Sequence, residues 1–318
     1  MTIPQTTRTP APLLAAALAV TALAAGPALA AEPLTPRGEA PNPAFNRLYD
    51  YEEMTGLLRA YARAYPEWVT VESIGKSREG RDIWVLTVNN PATGPALSKP
   101  AMYIDGNIHA NEVQGAETAL YTVDFVLESY GRLDRVTELA DRIAFYVIPM
   151  VNPDGRARWF EGPSTPNFPR TVMVPVDDDR DGVADEDGYD DLDGDGVITG
   201  MRKKVAPGEG THRLHPKDPR ILVPTEDGEL GDWRLLGSEG VDNDGDGRVN
   251  EDTVGYVDPN RTWGYFWMPR YVQAGSGDYP LQIPETRSIA LWALEHPNIG
   301  AVQSYHNSGQ MILRGPGA

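Results

Sequence analysis

The stretch Tyr103-Ile104-Asp105-Gly106-Asn107-Ile108-His109-Ala110-Asn111-Glu112 leaves an apolar segment, crosses a Gly-Asn turn and enters a run of helical spacing. Ala101 to Asp105 reads as a short buried strand, and Glu112 to Tyr130 as the helix after it. The same alternation extends on both sides. Upstream, Met54, Leu57, Leu58 and Tyr61 give helical spacing over about Asp50 to Tyr65, which Pro66 ends. Val69 to Ile74 and Ile83 to Val88 read as strands joined by a turn around Arg78 to Gly80, and Asn90 to Pro100 as loop. Downstream, Ile143 to Pro149 is another buried strand, followed by the turn Asn152-Pro153-Asp154-Gly155. A helix from about Pro284 to Glu295 and a strand from Ile299 to Ser304 continue the pattern. Helices alternating with short apolar strands predict an α/β layer fold.

From Arg156 to about Val257 the periodicity fades into sequence rich in Gly, Pro and acid. So long a structureless stretch is unusual inside a compact domain, so something must order it. The expected organisation is a leader over residues 1–30, a Pro-rich approach over 31–49, and one domain over 50–318 with an acidic insertion at about 160–256.

The chain has 318 residues and a formal net charge of −18. That balance argues against nucleic acid, which needs Lys and Arg in excess. Arg8, the apolar run Leu13 to Leu23 and the small residues Ala28-Leu29-Ala30 form a cleavable export signal. The run is short and followed by Gly26-Pro27, which disfavours a membrane anchor. The expected product is secreted or periplasmic, with no membrane attachment after cleavage. There is no cysteine, so disulfides cannot stabilise it there.

His109 and Glu112 stand three apart where a strand ends and a helix begins, and can turn toward one point. A catalytic zinc takes three protein ligands and keeps one position open, and two His plus one Glu is a known set. The chain has five histidines. His212 and His215 lie in a Pro- and charge-rich loop and His296 at a helix end, whereas His306 follows an apolar strand at the lip of the sheet. A lone His is more often structural, and His-x-x-Glu recurs by chance. Spacing alone therefore leaves both readings open.

Four segments occur in order: Asp105 to Glu112, Asn152-Pro153-Asp154-Gly155, Val257-Asp258-Pro259-Asn260-Arg261-Thr262-Trp263, and the stretch around His306. Together they resemble the zinc carboxypeptidases, the carboxypeptidase A-like peptidases, from about Asp50 to the C-terminus. The resemblance implies a mixed central sheet flanked by helices, with His109, Glu112 and His306 as zinc ligands. It makes Asn260 and Arg261 the pair that holds the free C-terminal carboxylate of a peptide, which suits a planar guanidinium and a neutral amide donor. Arg202, in Met201-Arg202-Lys203-Lys204, resembles the arginine that polarises the scissile carbonyl, with Arg156 and Arg158 as rivals. The family's general base and closing tyrosine, and its last strands and helices, are expected beyond Ala318. The chain then reads as a fragment or as a naturally short, inactive protein. Glu117 has no spacing that supports it as a substitute base. An amidohydrolase of the same family acting on cell-wall peptides or acylated amino acids is an alternative, as is a non-catalytic exported metal-binding module.

The insertion holds two near-copies of one eleven-residue pattern, Asp177 to Asp187 and Asp242 to Asp252, both D-x-D-x-D-G-x-x-[DN]-E-D. A third, partial copy lies at Asp191, Asp193, Asp195 and Gly196. Alternate oxygen ligands followed by a glycine are what a calcium loop needs. Asp177, Asp179, Asp181, Asp185, Asp242, Asp244, Asp246 and Asn250 are the expected calcium ligands. A solvated acidic tract is the competing explanation.

Overall fold

The computed structural model describes residues 31–165, 170–253, 255, 257–307 and 309–314. The leader read at residues 1–30 lies outside them. The first helix, α1 (Tyr51–Ala64), begins at a capping box in which Asp50 and Glu53 each accept the other's backbone N–H. Its Met54, Leu58 and Tyr61 are buried on one face.

The central sheet contains β1 (Val69–Lys76), β2 (Asp82–Val88), β3 (Ala101–Gly106), β4 (Ala144–Ile148) and β9 (Ile299–Tyr305), in the order β1-β2-β4-β3-β9. β1 and β2 are an antiparallel hairpin joined antiparallel to β4, while β3 runs parallel to both β4 and β9. The sheet is therefore mixed, as the resemblance implies. Helices α2 (Gln114–Ser129) and α3 (Asp134–Arg142) lie between β3 and β4, and α5 (Pro284–Leu294) precedes β9. Residues two apart on a strand share a face. Ile83 and Val85, Ala101 and Tyr103, and Ala144, Tyr146 and Ile148 form one apolar cluster with Ile289 and Trp292 of α5.

Three parallel strands thus bring their C-terminal ends to one edge, where α/β sheets hold their sites. β3 runs out into the His109 turn, β4 into Asn152, and β9 into His306. The register pairs Asp105 with Ser304 and Gly106 with Tyr305.

The structure departs from expectation in three places. α2 starts at Gln114, so Glu112 sits in the turn before it. Asn152-Pro153-Asp154-Gly155 is the start of a helix, α4 (Pro153–Glu161), with Pro at its first position and Asn152 accepting from Gly155 N at 3.0 Å. Pro tolerates that position because its missing N–H would have no helical partner. The insertion is also not structureless. β5 (Gly200–Lys204), β6 (His212–His215), β7 (Asp218–Pro224) and β8 (Trp233–Ser238) form a second, antiparallel sheet in the order β5-β8-β6-β7. These strands are largely exposed, so their charged sequence shows no clean apolar alternation. No helix among the described residues is long and apolar enough to cross a membrane.

Candidate metal centre and carboxylate grip

The turn after β3 is tight. A Cβ on Gly106 would lie 2.3 Å from Gly115 O, so only glycine lets the start of α2 rest on the strand end. Asn107 takes a left-handed φ of 55°, which Asn tolerates better than most residues. Its side-chain amide donates to the carbonyls of His109 (2.8 Å) and Ala110 (3.1 Å) and so closes the turn over itself.

His109 and Glu112 come out of this turn side by side, each 3% exposed. His306 meets them from β9. Its Nδ1 is 2.6 Å from Glu112 Oε2, and His109 Nδ1 is 3.1 Å from the same oxygen. One ligand atom from each residue falls within 4.8 Å of the others. His109 Nδ1 is buried without a hydrogen-bond donor, and what it faces at 3.1 Å is the Glu112 carboxylate. An imidazole lone pair facing a carboxylate oxygen is unfavourable unless a cation takes both, and a divalent metal does so. The residues fit zinc: two imidazoles, one carboxylate and a partly open side at His306.

On the far side of the ring, His109 Nε2 is 3.2 Å from Asp258 Oδ1 and 2.9 Å from Arg170 Nη2. One nitrogen cannot donate to a carboxylate and accept from a guanidinium at once. With Nδ1 facing the other ligands, Nε2 carries the proton and donates to Asp258, the usual carboxylate support of a metal-binding histidine. Arg170 is held instead by Asp258 Oδ2, 3.2 Å from its Nε. Burial pulls the His109 pKa down, but Asp258 and Glu112 outweigh it and hold the ring above its ordinary value. For Glu112, burial raises the pKa, and the two histidines overcome this and bring it to about 2. The Glu112 shift keeps a charged carboxylate in the trio at neutral pH.

Asp258 also organises the second predicted element. It caps the short 3₁₀ turn Pro259–Arg261, accepting Asn260 N at 2.8 Å. The turn carrying Asn260 and Arg261 is therefore tied directly to His109. Asn260 and His306 line one cavity of about 330 Å³, together with Tyr103, Asp105 and Trp263. Arg261 donates to Asn260 O at 3.2 Å.

Arg202 is not brought to the trio. It sits on β5 in the second sheet, donating to the carbonyls of Pro219 and Arg220 and stacking on Trp233. Neither rival takes its place. Arg156 is fully buried, and Arg158 pairs with Glu79 at the surface. The guanidinium at the trio is Arg170, with Nη1 3.7 Å from Glu112 Oε1. Its identity and that of Asp258 were missed in the sequence. The available signals were that Arg170 follows α4 closely and that Asp258 immediately precedes Pro259-Asn260-Arg261.

In the insertion, the repeat is real at the backbone. Asp185 and Asn250, matched in the two copies, have φ of 60° and 61°, and Gly182 and Gly247 have 104° and 95°. The first Asp of each loop accepts amides from its own glycine turn: Asp177 from Gly182 N, Asp242 from Gly247 N, Asp191 from Gly196 N. The third copy is thus built like the other two. The copies also clasp each other. Asp252 accepts Asp178 N and Asp185 N (2.8 and 2.9 Å), and Asp187 accepts Asn250 N and Asn243 Nδ2 (3.1 and 3.2 Å). Carboxylates gather at Asp177, Asp179 and Asp181, at Asp191, Asp193 and Asp195, and across the clasp at Asp179, Asp244 and Asp246. Asp187, Asp244 and Glu251 form a further group across it. Asp185 lies outside these groups and accepts Val176 N, while Asn250 donates from Nδ2 to Ser238 O and leaves its Oδ1 buried without a partner.

Comparison with known proteins follows the same outline. A sequence profile of the zinc carboxypeptidase family matches residues 54–181. Carboxypeptidase D of Drosophila melanogaster is 33% identical over 132 residues, 42% of this chain and 9% of that protein. Carboxypeptidase B of Astacus astacus is 35% identical over 112 residues, 35% of each. An inactive metallocarboxypeptidase of Saccharomyces cerevisiae is 30% identical over 142 residues, 42% of this chain and 33% of that protein. Among solved structures, carboxypeptidase A from Helicoverpa armigera superposes with a TM-score of 0.53 at 21% identity, covering 86% of this chain and 49% of that one. Thrombin-activatable fibrinolysis inhibitor gives the same TM-score at 20% identity, covering 84% and 49%. The fold is shared, and the chain spans about half the length of these structures.

Proposed function

We propose that the protein, whose residues 54–181 match the zinc carboxypeptidase profile, is an exported metallocarboxypeptidase that removes C-terminal residues from peptides. The observation that carries this reading is the convergence of the buried His109 Nδ1 with Glu112 Oε2 and His306 Nδ1 on one point.

His109, Glu112 and His306 would hold a zinc ion, which would supply Lewis-acid activation of water and carbonyl there. The chain's own residues bind and orient. Asn260 and Arg261 grip the terminal carboxylate, beside the cavity that Asn260 shares with His306. Asp258 fixes the His109 tautomer and, through Asn260 N, sets the grip relative to the metal. Arg170, partly exposed beside Glu112, replaces Arg202 as the cation that stabilises a developing oxyanion. Both Glu112 and Asp258 are engaged with His109, so neither is assigned the role of proton carrier.

Calcium in the clasped acidic loops is a second part of the proposal, supported by the repeated backbone and the carboxylate groups. Bound calcium would order the insertion on the approach to Asn260 and Arg261. A chelator that spares zinc should then raise KM, and unchanged kinetics would remove calcium from the account. The leader sequence supports export, which cell fractionation checks.

The reading as a whole is tested with matched peptides ending in a free carboxylate or an amide. The whole protein should cleave only the first, and only with zinc present. Equal cleavage of both would favour the amidohydrolase alternative, and zinc binding with no cleavage of either would favour an inactive relative.

A further inference from the structure

Arg156 is the largest fully buried side chain among the described residues, and the chemistry above does not use it. A buried guanidinium must place five N–H groups, and this one places them all. Nε donates to Tyr49 O at 2.9 Å. Nη1 donates to Asn107 Oδ1 at 3.1 Å and Val113 O at 2.9 Å. Nη2 reaches Tyr49 O and Glu117 Oε1.

Two of these acceptors bracket the metal turn. Asn107 is its first residue, and Val113 follows Glu112 immediately. A single nitrogen therefore fixes both ends of the segment that carries His109 and Glu112. Asn107 passes the constraint inward, since its Nδ2 binds the carbonyls of His109 and Ala110. The helix bearing Arg156 is itself pressed on the turn: a Cβ on Gly155 would lie 2.3 Å from Ala110 Cβ. Glu117 Oε1 also accepts Tyr49 N at 3.0 Å, so the same network reaches the segment before α1.

We propose that Arg156 is a positioning residue for the metal ligands, acting through Asn107 and Val113. The proposal rests on the zinc reading of the trio. Neutralising Glu117 alone would need only a positive charge, which lysine supplies. Spanning Asn107, Val113 and Tyr49 at once needs the planar fork, which lysine lacks.

The test measures zinc affinity of the 318-residue chain by competition with a chromogenic chelator. Wild type is compared with Arg156→Lys, Asn107→Gly, the double variant and His306→Ala, each verified as folded by near-UV circular dichroism. Glycine accepts the left-handed backbone at position 107, so Asn107→Gly removes the amide contacts without strain. Arg156→Lys and Asn107→Gly should each weaken zinc binding by roughly 10–100-fold, as loss of a supporting contact does. The double variant should lose less than the product of the two, because they act in series. Wild-type affinity in folded Arg156→Lys, with binding lost in His306→Ala, overturns the positioning role alone. Wild-type affinity in His306→Ala overturns the zinc site, and the positioning role with it.

Discussion

The two regions that gather metal-binding side chains are built in opposite ways. At the sheet edge, His109 and Glu112 are buried, and every neighbour that orients them is protein: Asn107, Asp258, Arg156 and the tight turn after β3. In the insertion, most of the carboxylates are partly or fully exposed, and their fixed partners are chiefly backbone amides of the loops themselves. The first region draws its organisation from contacts with buried protein groups. The second draws like charges together and gains most from a cation that neutralises them.

The sharpest way to break the buried region is to remove one half of its internal ion pair. Arg156→Met should cost about 3–5 kcal/mol by leaving Glu117 buried and uncompensated, measured by chemical denaturation. A change near zero would show that the network does not bear on the fold.

A buried carboxyl without full partnership should behave in the reverse sense. Glu285 is fully buried at the start of α5. Its Oε1 accepts Arg78 N at 3.0 Å, but Oε2 has no partner. Burial raises its pKa from 4.5 to about 7. Below the lower value both folded and unfolded forms are neutral. As pH rises the unfolded form ionises first, so stability is lost up to the folded value and does not return above it. Glu285→Gln keeps the acceptor and should therefore stabilise by about 3 kcal/mol at pH 8, from ~1.36 kcal/mol per pKa unit, with little effect at pH 4. Equal melting-temperature gains at both pH values would contradict this.

How much of this was legible in the sequence follows the same division. β2, β3, β4, α1 and α2 were readable because their buried faces impose a pattern on the sequence, whereas β9 was read from its apolar residues although it is largely exposed. The segment containing His109 and Glu112 was readable because strand, turn and helix follow within ten residues. The second sheet was not, since its strands bury little and show no alternation. Arg202 lies on the second sheet and Arg170 beside Glu112, and residue type near a motif cannot report which sheet a strand joins. Asp258 and Arg156 were hidden for a related reason. Their partners lie 149 and 49 residues away, so only the folded chain shows what they orient. The acidic repeat was legible as a repeat, but the clasp between Asp187 and Asp252 and the left-handed backbone at Asp185 and Asn250 depend on conformation.

For the insertion, calcium at a hundredfold excess over Kd should add about 2.7 kcal/mol through binding to the folded form alone. Chelation should remove that increment, and Asp179→Asn, which touches two of the carboxylate groups, should reduce it. A melting temperature indifferent to calcium would leave the loops as solvated acid. The smallest expected effect is at the supporting carboxylate of the buried site. Asp258→Asn should weaken zinc binding by roughly 10–100-fold while leaving calcium-dependent stability unchanged, which separates the two regions experimentally.

The central claim, that His109, Glu112 and His306 form a zinc site, is tested most directly by metal content after calcium is stripped. The wild-type protein should hold one tightly bound zinc per chain, and a folded His306→Ala variant none. A wild-type chain that holds no zinc, or a His306→Ala chain that holds it equally well, would contradict it.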